Sequence, residues 1–390
     1  MRVLHFYKTY YPDSWGGVEQ AIRQLCVGTG RLGVENTVLT LGRGGASRID
    51  VEGHVVHRAR QNIEIASTGF SLGAIGKLAA LARQADIVHY HFPWPFMDLA
   101  HFLARVDKPT VVSYHADIVR QKRLLRLYAP LQHCFLGRVD AIVAASPNYL
   151  ASSPVLRRFA GKTRVIGYGL DRAGYRTPPA AAVARWRARC GTPAGDPLPG
   201  RFFLFLGVLR YYKGLHVLLD ALAHLATPVT GAAGRYPVVI AGAGPLEQAL
   251  RQHAARLGLD HVHFVGAVDE DDKSALLQAC YAMVFPSHLR AEAFGISLLE
   301  AAMFGKPLIS CEIGTGTTYV NLDGQTGLAV PPDDPIALAA AMRALWDDPQ
   351  RVAAMGRQAA VRYGALFTAE RMARDYHALY RQLQQRPGAV

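Results

Sequence analysis

The sequence predicts an α/β protein with two doubly wound domains facing each other across a cleft, and three observations lead there. Short β-rich runs alternate with helical stretches, the βαβ rhythm of a parallel sheet. The runs are nearly continuous Val, Ile, Leu and aromatic residues, as strands covered by helices on both faces require. The rhythm fails once, around residues 176–200, where a Pro-, Ala- and Arg-rich stretch with Pro178, Pro179, Pro193, Pro197 and Pro199 reads as the passage between domains.

The first domain, residues 1–175, is expected to hold strands at 3–6, 37–41, 87–90, 110–114 and 141–144. The second, residues 176–368, is expected to hold strands at 202–206, 238–241, 262–265, 282–285 and 307–310. A last helix over about 369–386 can pack back on the first domain. Ligands of such sheets bind outside the carboxyl ends of the strands, so the loops there are where chemistry is sought.

Composition narrows the class. The 390 residues, 50% of them hydrophobic, suffice for two full-sized cores. No apolar run approaches the ~20 residues of a membrane-spanning helix, and the start Val3-Leu4-His5-Phe6 is too short for a signal peptide, so a cytoplasmic protein is expected. Cys26, Cys134, Cys190, Cys280 and Cys311 stand singly, against a disulfide framework or a structural zinc site, and read as reduced packing residues. The net charge of +13 is uneven, with 22 Lys and Arg against 12 Asp and Glu in residues 1–175 but 21 against 18 in the rest. The basic half is expected to face an anionic partner: nucleic acid, lipid headgroups or a phosphorylated acceptor. The run from Arg120 to Tyr128 mixes cations with aliphatic side chains, which suits an interfacial helix or an ordinary solvated helix face.

The segment Ala291-Glu292-Ala293-Phe294-Gly295-Ile296-Ser297-Leu298-Leu299-Glu300 carries the most chemistry. On one straight helix its two carboxylates would lie about 12 Å apart along the axis, at ~1.5 Å per residue, so Gly295 is expected to break it. Glu292 then belongs to a loop and Glu300 to the second turn of a helix over residues 296–304. Free N–H groups at that helix start attract phosphate, while carboxylates accept hydrogen bonds from hydroxyls, so the segment suits a nucleotide sugar. A capped amphipathic helix with two exposed acids is the plain alternative.

Other loops add candidates. Gly207-Val208-Leu209-Arg210-Tyr211-Tyr212-Lys213-Gly214 follows the first strand of the second domain, where Arg210 and Lys213 can neutralise a departing diphosphate or be mere solvated cations. Gly16 and Gly17 follow the first strand of the chain and permit close approach of a ligand or form a bare turn. His115 sits at a strand's carboxyl end with Asp117 near enough to orient its ring; a structural histidine is the alternative. His89 and His91 precede Phe92-Pro93-Trp94-Pro95, aromatics read as packing groups ahead of sugar-stacking ones. Gly242-Ala243-Gly244-Pro245 departs from a dinucleotide fingerprint at Glu247, and Asp269-Glu270-Asp271-Asp272 reads as an acidic helix start rather than a metal site.

Taken together, these motifs resemble the retaining glycosyltransferases of family 4, which have the GT-B fold of two Rossmann-like domains. The resemblance spans essentially the whole chain and is strongest from Glu292 to Pro307, with support from Gly207 to Gly214 and Asp323 to Leu328. It implies that Glu292 holds donor-sugar hydroxyls and Glu300 the ribose, with backbone contacts from Phe294, Gly295 and Ile296. It further implies that Arg210 and Lys213 bind the diphosphate, that Gly16 and Gly17 approach it, and that His115 touches the transferring sugar. The family usually has arginine where Val208 stands, so Arg210 would have to reach the phosphate from two residues later. The start Phe6 to Pro12 and the stretch Cys311 to Thr317 look like bacterial O-antigen mannosyl- or rhamnosyltransferases. These imply GDP-mannose or GDP-rhamnose as donor, no cofactor, no metal, a polyprenyl-diphosphate-linked glycan as acceptor and peripheral attachment to the inner membrane. A UDP-sugar donor, a nucleotide-sugar epimerase and a nucleic-acid-binding protein are the alternatives, the last lacking any reader motif.

Overall fold

The computed structural model describes residues 1–385 apart from 43, 45, 66, 67, 119–121, 193, 195, 197, 198 and 227–235. The chain forms two compact units, one of Met1–Leu170 together with the chain from Phe367 onward, the other of Asp171–Leu366.

In the first unit eight strands run in the order Thr163–Val165, Ala141–Ala144, Thr110–Tyr114, Ile87–Phe92, Arg2–Phe6, Glu35–Gly42, His54–Arg60, Ser47–Val51. Every pairing is parallel except the last, between His54–Arg60 and Ser47–Val51. The first strand in sequence is therefore central, and strand order reverses between it and Ile87–Phe92. In the second unit six parallel strands run Val262–Gly266, Val238–Ala241, Phe203–Leu206, Ala282–Phe285, Leu308–Cys311, Gly327–Val330, with the reversal between Phe203–Leu206 and Ala282–Phe285. These reversals are the places where doubly wound sheets open a crevice for ligand.

All ten predicted runs are strands, most of them because buried parallel strands write themselves as largely apolar runs. The strands not predicted lie at or beside a sheet edge. Ser47–Val51, for example, is nowhere fully buried.

The stretch 176–200 differs from its expected role as a passage between domains. It lies inside the second unit and carries the helix Ala180–Cys190, which packs on the helix Glu270–Ala279 and buries Trp186 and Cys190. Its prolines flank this Ala- and Arg-rich helix instead of interrupting it, and Pro179 stands at its start. Four cysteines are buried, but Cys134 is exposed and so is no packing residue. The run from Arg120 to Tyr128 lies partly outside the described residues; its remainder opens the helix Lys122–Arg138, in which Leu127 is 81% exposed.

The last helix, Ala369–Gln384, packs on the helix Gly17–Gly30. Its Met372, Tyr376, Leu379, Tyr380 and Leu383 share one core cluster with Val3, Ile87 and Val111 of the first sheet. The chain thus crosses back to complete the unit it began. Tyr380 is fully buried and its hydroxyl meets His89 Nδ1 at 2.7 Å. Tyr380→Ala removes both ring and hydroxyl and is expected to cost about 3–5 kcal/mol in denaturant unfolding; an unchanged midpoint would contradict this packing.

Candidate active site

The second sheet's reversal point is flanked by two loops, one after Phe203–Leu206 and one after Ala282–Phe285. Lys213 Nζ from the first meets Glu292 Oε2 from the second at 2.5 Å, with both side chains 11% exposed. Burial alone would lower the lysine's pKa, but the facing carboxylate, with Tyr212 contributing, holds it above its ordinary value. The ammonium also lies 4.5 Å from the centre of the Phe285 ring. Arg210 is exposed and carries no side-chain hydrogen bond among the described residues, and Val208 is exposed beside it.

Backbone packing fixes the Lys213 loop. A Cβ on Gly242 would stand 2.0 Å from the Gly207 carbonyl oxygen, and Leu209 donates to the Ala243 carbonyl at 3.0 Å. The Gly242-Ala243-Gly244 turn is therefore glycine-rich in order to receive the neighbouring loop. His288, which sequence reasoning passed over, pins the same loop from the other side. Its Nε2 lies 2.9 Å from the Tyr211 carbonyl, its backbone N–H donates to the Tyr212 carbonyl, and its Nδ1 faces Asp333.

Gly295 has φ +90°, a backbone state that favours glycine, and it turns the Glu292 loop into the helix Ile296–Met303. Leu298 N–H returns to the Gly295 carbonyl, while Ile296 and Ser297 N–H make no backbone hydrogen bond among the described residues. Phe294 is buried. Glu300 is 4% exposed in the second turn, where its Oε1 accepts from the Tyr175 hydroxyl at 2.8 Å and pairs with Lys273 Nζ at 3.2 Å. Burial would lower the Lys273 pKa, but Glu300 and Glu270 outweigh it and raise it. Tyr175 and Lys273 gave no sequence signal, because their partner lies far away in the chain. The acidic run behaves as a helix start, with Asp269 accepting from Asp272 N–H and capping Glu270–Ala279.

In the first unit, Gly16 caps the helix Gly17–Gly30, and a Cβ there would stand 2.5 Å from Glu19 Oε2. Glu19 accepts from Thr9 Oγ1 at 2.8 Å and Ser14 Oγ at 2.7 Å, so it organises the loop after the first strand. His115 does follow Thr110–Tyr114, but Asp117 does not orient it. The Asp117 carboxylate instead accepts from the Tyr114 and Ser153 hydroxyls at 2.8 Å each. The His115 ring lies between His91, 3.0 Å from its Nε2, and the Tyr168 hydroxyl at its Nδ1. Phe92 and Trp94 are buried, so they pack as the sequence reading favoured.

Two family profiles tile the chain, Glycosyltransferase Family 4 over residues 15–173 and Glycosyl transferases group 1 over residues 194–362. A D-rhamnosyltransferase of Pseudomonas aeruginosa, WbpZ, is 57% identical over 95% of this chain and 93% of its own length. The chain is a family 4 glycosyltransferase. The O-antigen chain mannosyltransferase C of Escherichia coli is 47% identical over 98% of this chain and 99% of its own. Sucrose-phosphate synthase from Thermosynechococcus elongatus superposes with TM-score 0.77 at 22% identity, covering 98% of each chain. Anabaena HepE in complex with UDP and glucose gives 0.74 at 20% identity, covering 98% of this chain and 100% of its own. The fold is accordingly GT-B. No helix among the described residues is long and apolar enough to cross a membrane.

The glycosyltransferase also holds a group of buried histidines, His5, His89, His91 and His115, that sequence reasoning did not bring together. Burial lowers the pKa of His5 to about 4 and of His115 to about 3, and lowers those of His89 and His91 well below the ordinary value. Depressed histidines take up protons only on unfolding. Their stabilisation is therefore complete above the unfolded value of 6.5 and is lost as pH falls toward about 4 and 3. Each such group contributes a slope of up to about 1.4 kcal/mol per pH unit in that window. Urea unfolding from pH 7 to pH 4.5 (about two and a half units) is expected to show steep loss below pH 6.5, and a flat profile would contradict neutral buried histidines.

Proposed function

We propose that this glycosyltransferase moves mannose or rhamnose from a GDP-sugar to a polyprenyl-diphosphate-linked glycan in O-antigen polysaccharide synthesis, with retention of configuration. The carrying observation is the buried pairing of Lys213 with Glu292 at the second sheet's reversal point. The identities of two relatives as O-antigen chain mannosyltransferase and D-rhamnosyltransferase support the sugar and the pathway.

On this reading the diphosphate takes over Lys213, and Glu292 then accepts hydrogen bonds from hydroxyls of the transferring sugar. Arg210 and the start of the helix Ile296–Met303 add positive potential to the leaving group, as charge develops on its oxygen while the glycosidic bond breaks. These groups can stabilise the departing diphosphate without a metal. Glu292 is committed to hydroxyls, so no protein nucleophile is assigned; the acceptor hydroxyl attacks from the face the nucleotide leaves and passes its proton to a β-phosphate oxygen. Glu300, held by Lys273 and Tyr175, takes the ribose hydroxyls.

The basic first unit suits a lipid diphosphate acceptor. Leu99 and Leu103 on Pro95–Leu103 and Leu127 on Lys122–Arg138 are exposed on two helices that pack together, which supports peripheral attachment to the cytoplasmic face of the membrane.

Lys213→Ala and Glu292→Gln are each expected to lower kcat by about two to three orders of magnitude, the usual effect of losing a preorganised electrostatic contact. Near-wild-type turnover in both would remove the site. GDP-mannose or GDP-rhamnose at a hundredfold over Kd is expected to stabilise the protein by about 2.7 kcal/mol in a thermal-shift assay. At equal ligand concentration, a larger shift with UDP-sugars than with GDP-sugars would transfer the donor assignment to UDP.

A further inference from the structure

Three side chains from separate stretches of the second unit converge beside the Lys213 loop. His216 is the second residue of the helix Leu215–Ala226, His288 follows the strand Ala282–Phe285, and Asp333 lies between the strand Gly327–Val330 and the helix Pro335–Trp346. One ring nitrogen of each histidine and one carboxylate oxygen lie within 4.8 Å of one another. His288 is buried, His216 half-buried and Asp333 exposed, so the group opens to solvent on the aspartate side.

The hydrogen bonds of His288 leave a mismatch. Its Nε2 lies 2.9 Å from the Tyr211 carbonyl, which only accepts, so Nε2 carries a proton. A neutral imidazole has one such proton, and Nδ1 then turns a lone pair toward the Asp333 carboxylate, which also only accepts. Two acceptors stay in contact only with something positive between them, either a second proton on the ring or a metal ion. His216 favours the ion. A proton is shared by His288 and Asp333 alone, whereas His216 brings a third ligand atom to the same place, and its ring makes no hydrogen bond among the described residues.

We propose that His216, His288 through Nδ1, and Asp333 form a binding site for a divalent transition ion of the zinc class, which braces the loop carrying Lys213. Two imidazoles and a carboxylate suit zinc, whereas magnesium and calcium take oxygen ligands. Zinc bonds of ~2.0–2.2 Å set neighbouring ligand atoms about 3.3 Å apart around a tetrahedral ion, so His216 and the exposed Asp333 close on His288 by small rotations. The Tyr211 carbonyl on Nε2 is the kind of outer partner that fixes the ring and tautomer of a metal-binding histidine. The Tyr211 ring orients both imidazoles, stacking on His216 with centres 5.1 Å apart and standing edge-on to His288. Asp220, one turn beyond His216, is engaged by His253 at 2.7 Å, which leaves the fourth position to water.

The buried group His5, His89 and His91 offers no such site, because each of their ring nitrogens already faces Asn36, another histidine, Tyr380 or Ser113. At His288 an ion ties the helix Leu215–Ala226, the loop after Ala282–Phe285 and the turn before Pro335–Trp346 into one frame. That frame reaches the Lys213 loop through the Tyr211 and Tyr212 carbonyls, which His288 holds. The role needs no contact with a nucleotide sugar, so the site stands or falls apart from the donor reading.

Untagged, chelator-stripped wild-type protein titrated with zinc chloride, or with cobalt chloride as a coloured probe, tests the site with the metal alone. The expected result is one equivalent bound at saturation, a visible cobalt spectrum, and a melting temperature that rises with zinc. His216→Ala and Asp333→Asn alter side chains that are not fully buried and are expected to fold. Each is expected to weaken zinc binding by about tenfold or more and to abolish the thermal shift. Absence of saturable one-to-one binding, or wild-type affinity in either variant, overturns the proposal. Nitrogen-15 NMR of the zinc-loaded protein is expected to show His288 protonated on Nε2 and unprotonated on Nδ1. A doubly protonated His288 in excess zinc assigns the gap to a proton and overturns the proposal as well.

Discussion

The second unit depends on a charge that has to be balanced where the sheet leaves a gap. Strand order reverses beside Phe203–Leu206, so the loops after it and after Ala282–Phe285 diverge, and the polar groups between them are held largely away from water. Neither Lys213 nor Glu292 can remain there alone at low cost, because a buried charge without its partner loses hydration and gains nothing. Their ion pair ties the two loops together. Gly207, Gly242 and Gly244 allow the adjoining backbones to close on one side, and His288 holds the Tyr211 and Tyr212 carbonyls on the other. On the proposed reading the same pair is a ready-made binding device, since a diphosphate and a sugar hydroxyl each replace one half of it.

The first unit handles buried polarity by a different route. Its central strands carry histidines where continuous hydrophobic residues would otherwise stand, and these are neutral, mutually hydrogen-bonded and closed off by an amide at one end and a phenol at the other. The returning C-terminal helix takes part in this arrangement. Tyr380 meets His89 and Tyr376 meets Ser113, so the helix caps polar groups of the sheet as well as its apolar ones. That double duty explains why the chain's end belongs to the unit with which the chain starts.

Most of the ten predicted strands were readable because they are buried on both faces and so are largely apolar; Val262–Gly266, an edge strand of intermediate burial, was readable from its β-branched and aromatic residues. The helix start at Ile296 was readable because Gly295 separates two carboxylates that one helix could not bring together. The helix Ala180–Cys190 was obscured by the prolines around it, and the edge strands by their half-exposed, alternating composition. The pairing of His115 with Asp117 looked natural from a spacing of two residues, but Tyr114 and Ser153 claim that carboxylate and a neighbouring strand supplies His91 instead.

By itself the sequence determined the α/β class, the strands of both sheet centres, and the loops in which Lys213, Arg210 and Glu292 lie, since local burial and turn chemistry are written in consecutive residues. Only the tertiary structure decided who partners whom. Lys213 with Glu292, Glu300 with Lys273 and Tyr175, and His115 with His91 and Tyr168 are contacts between residues far apart in the chain. Each is set by strand order and register, which no short stretch of sequence encodes, because a side chain's charge and direction are fixed by whatever the fold brings opposite it.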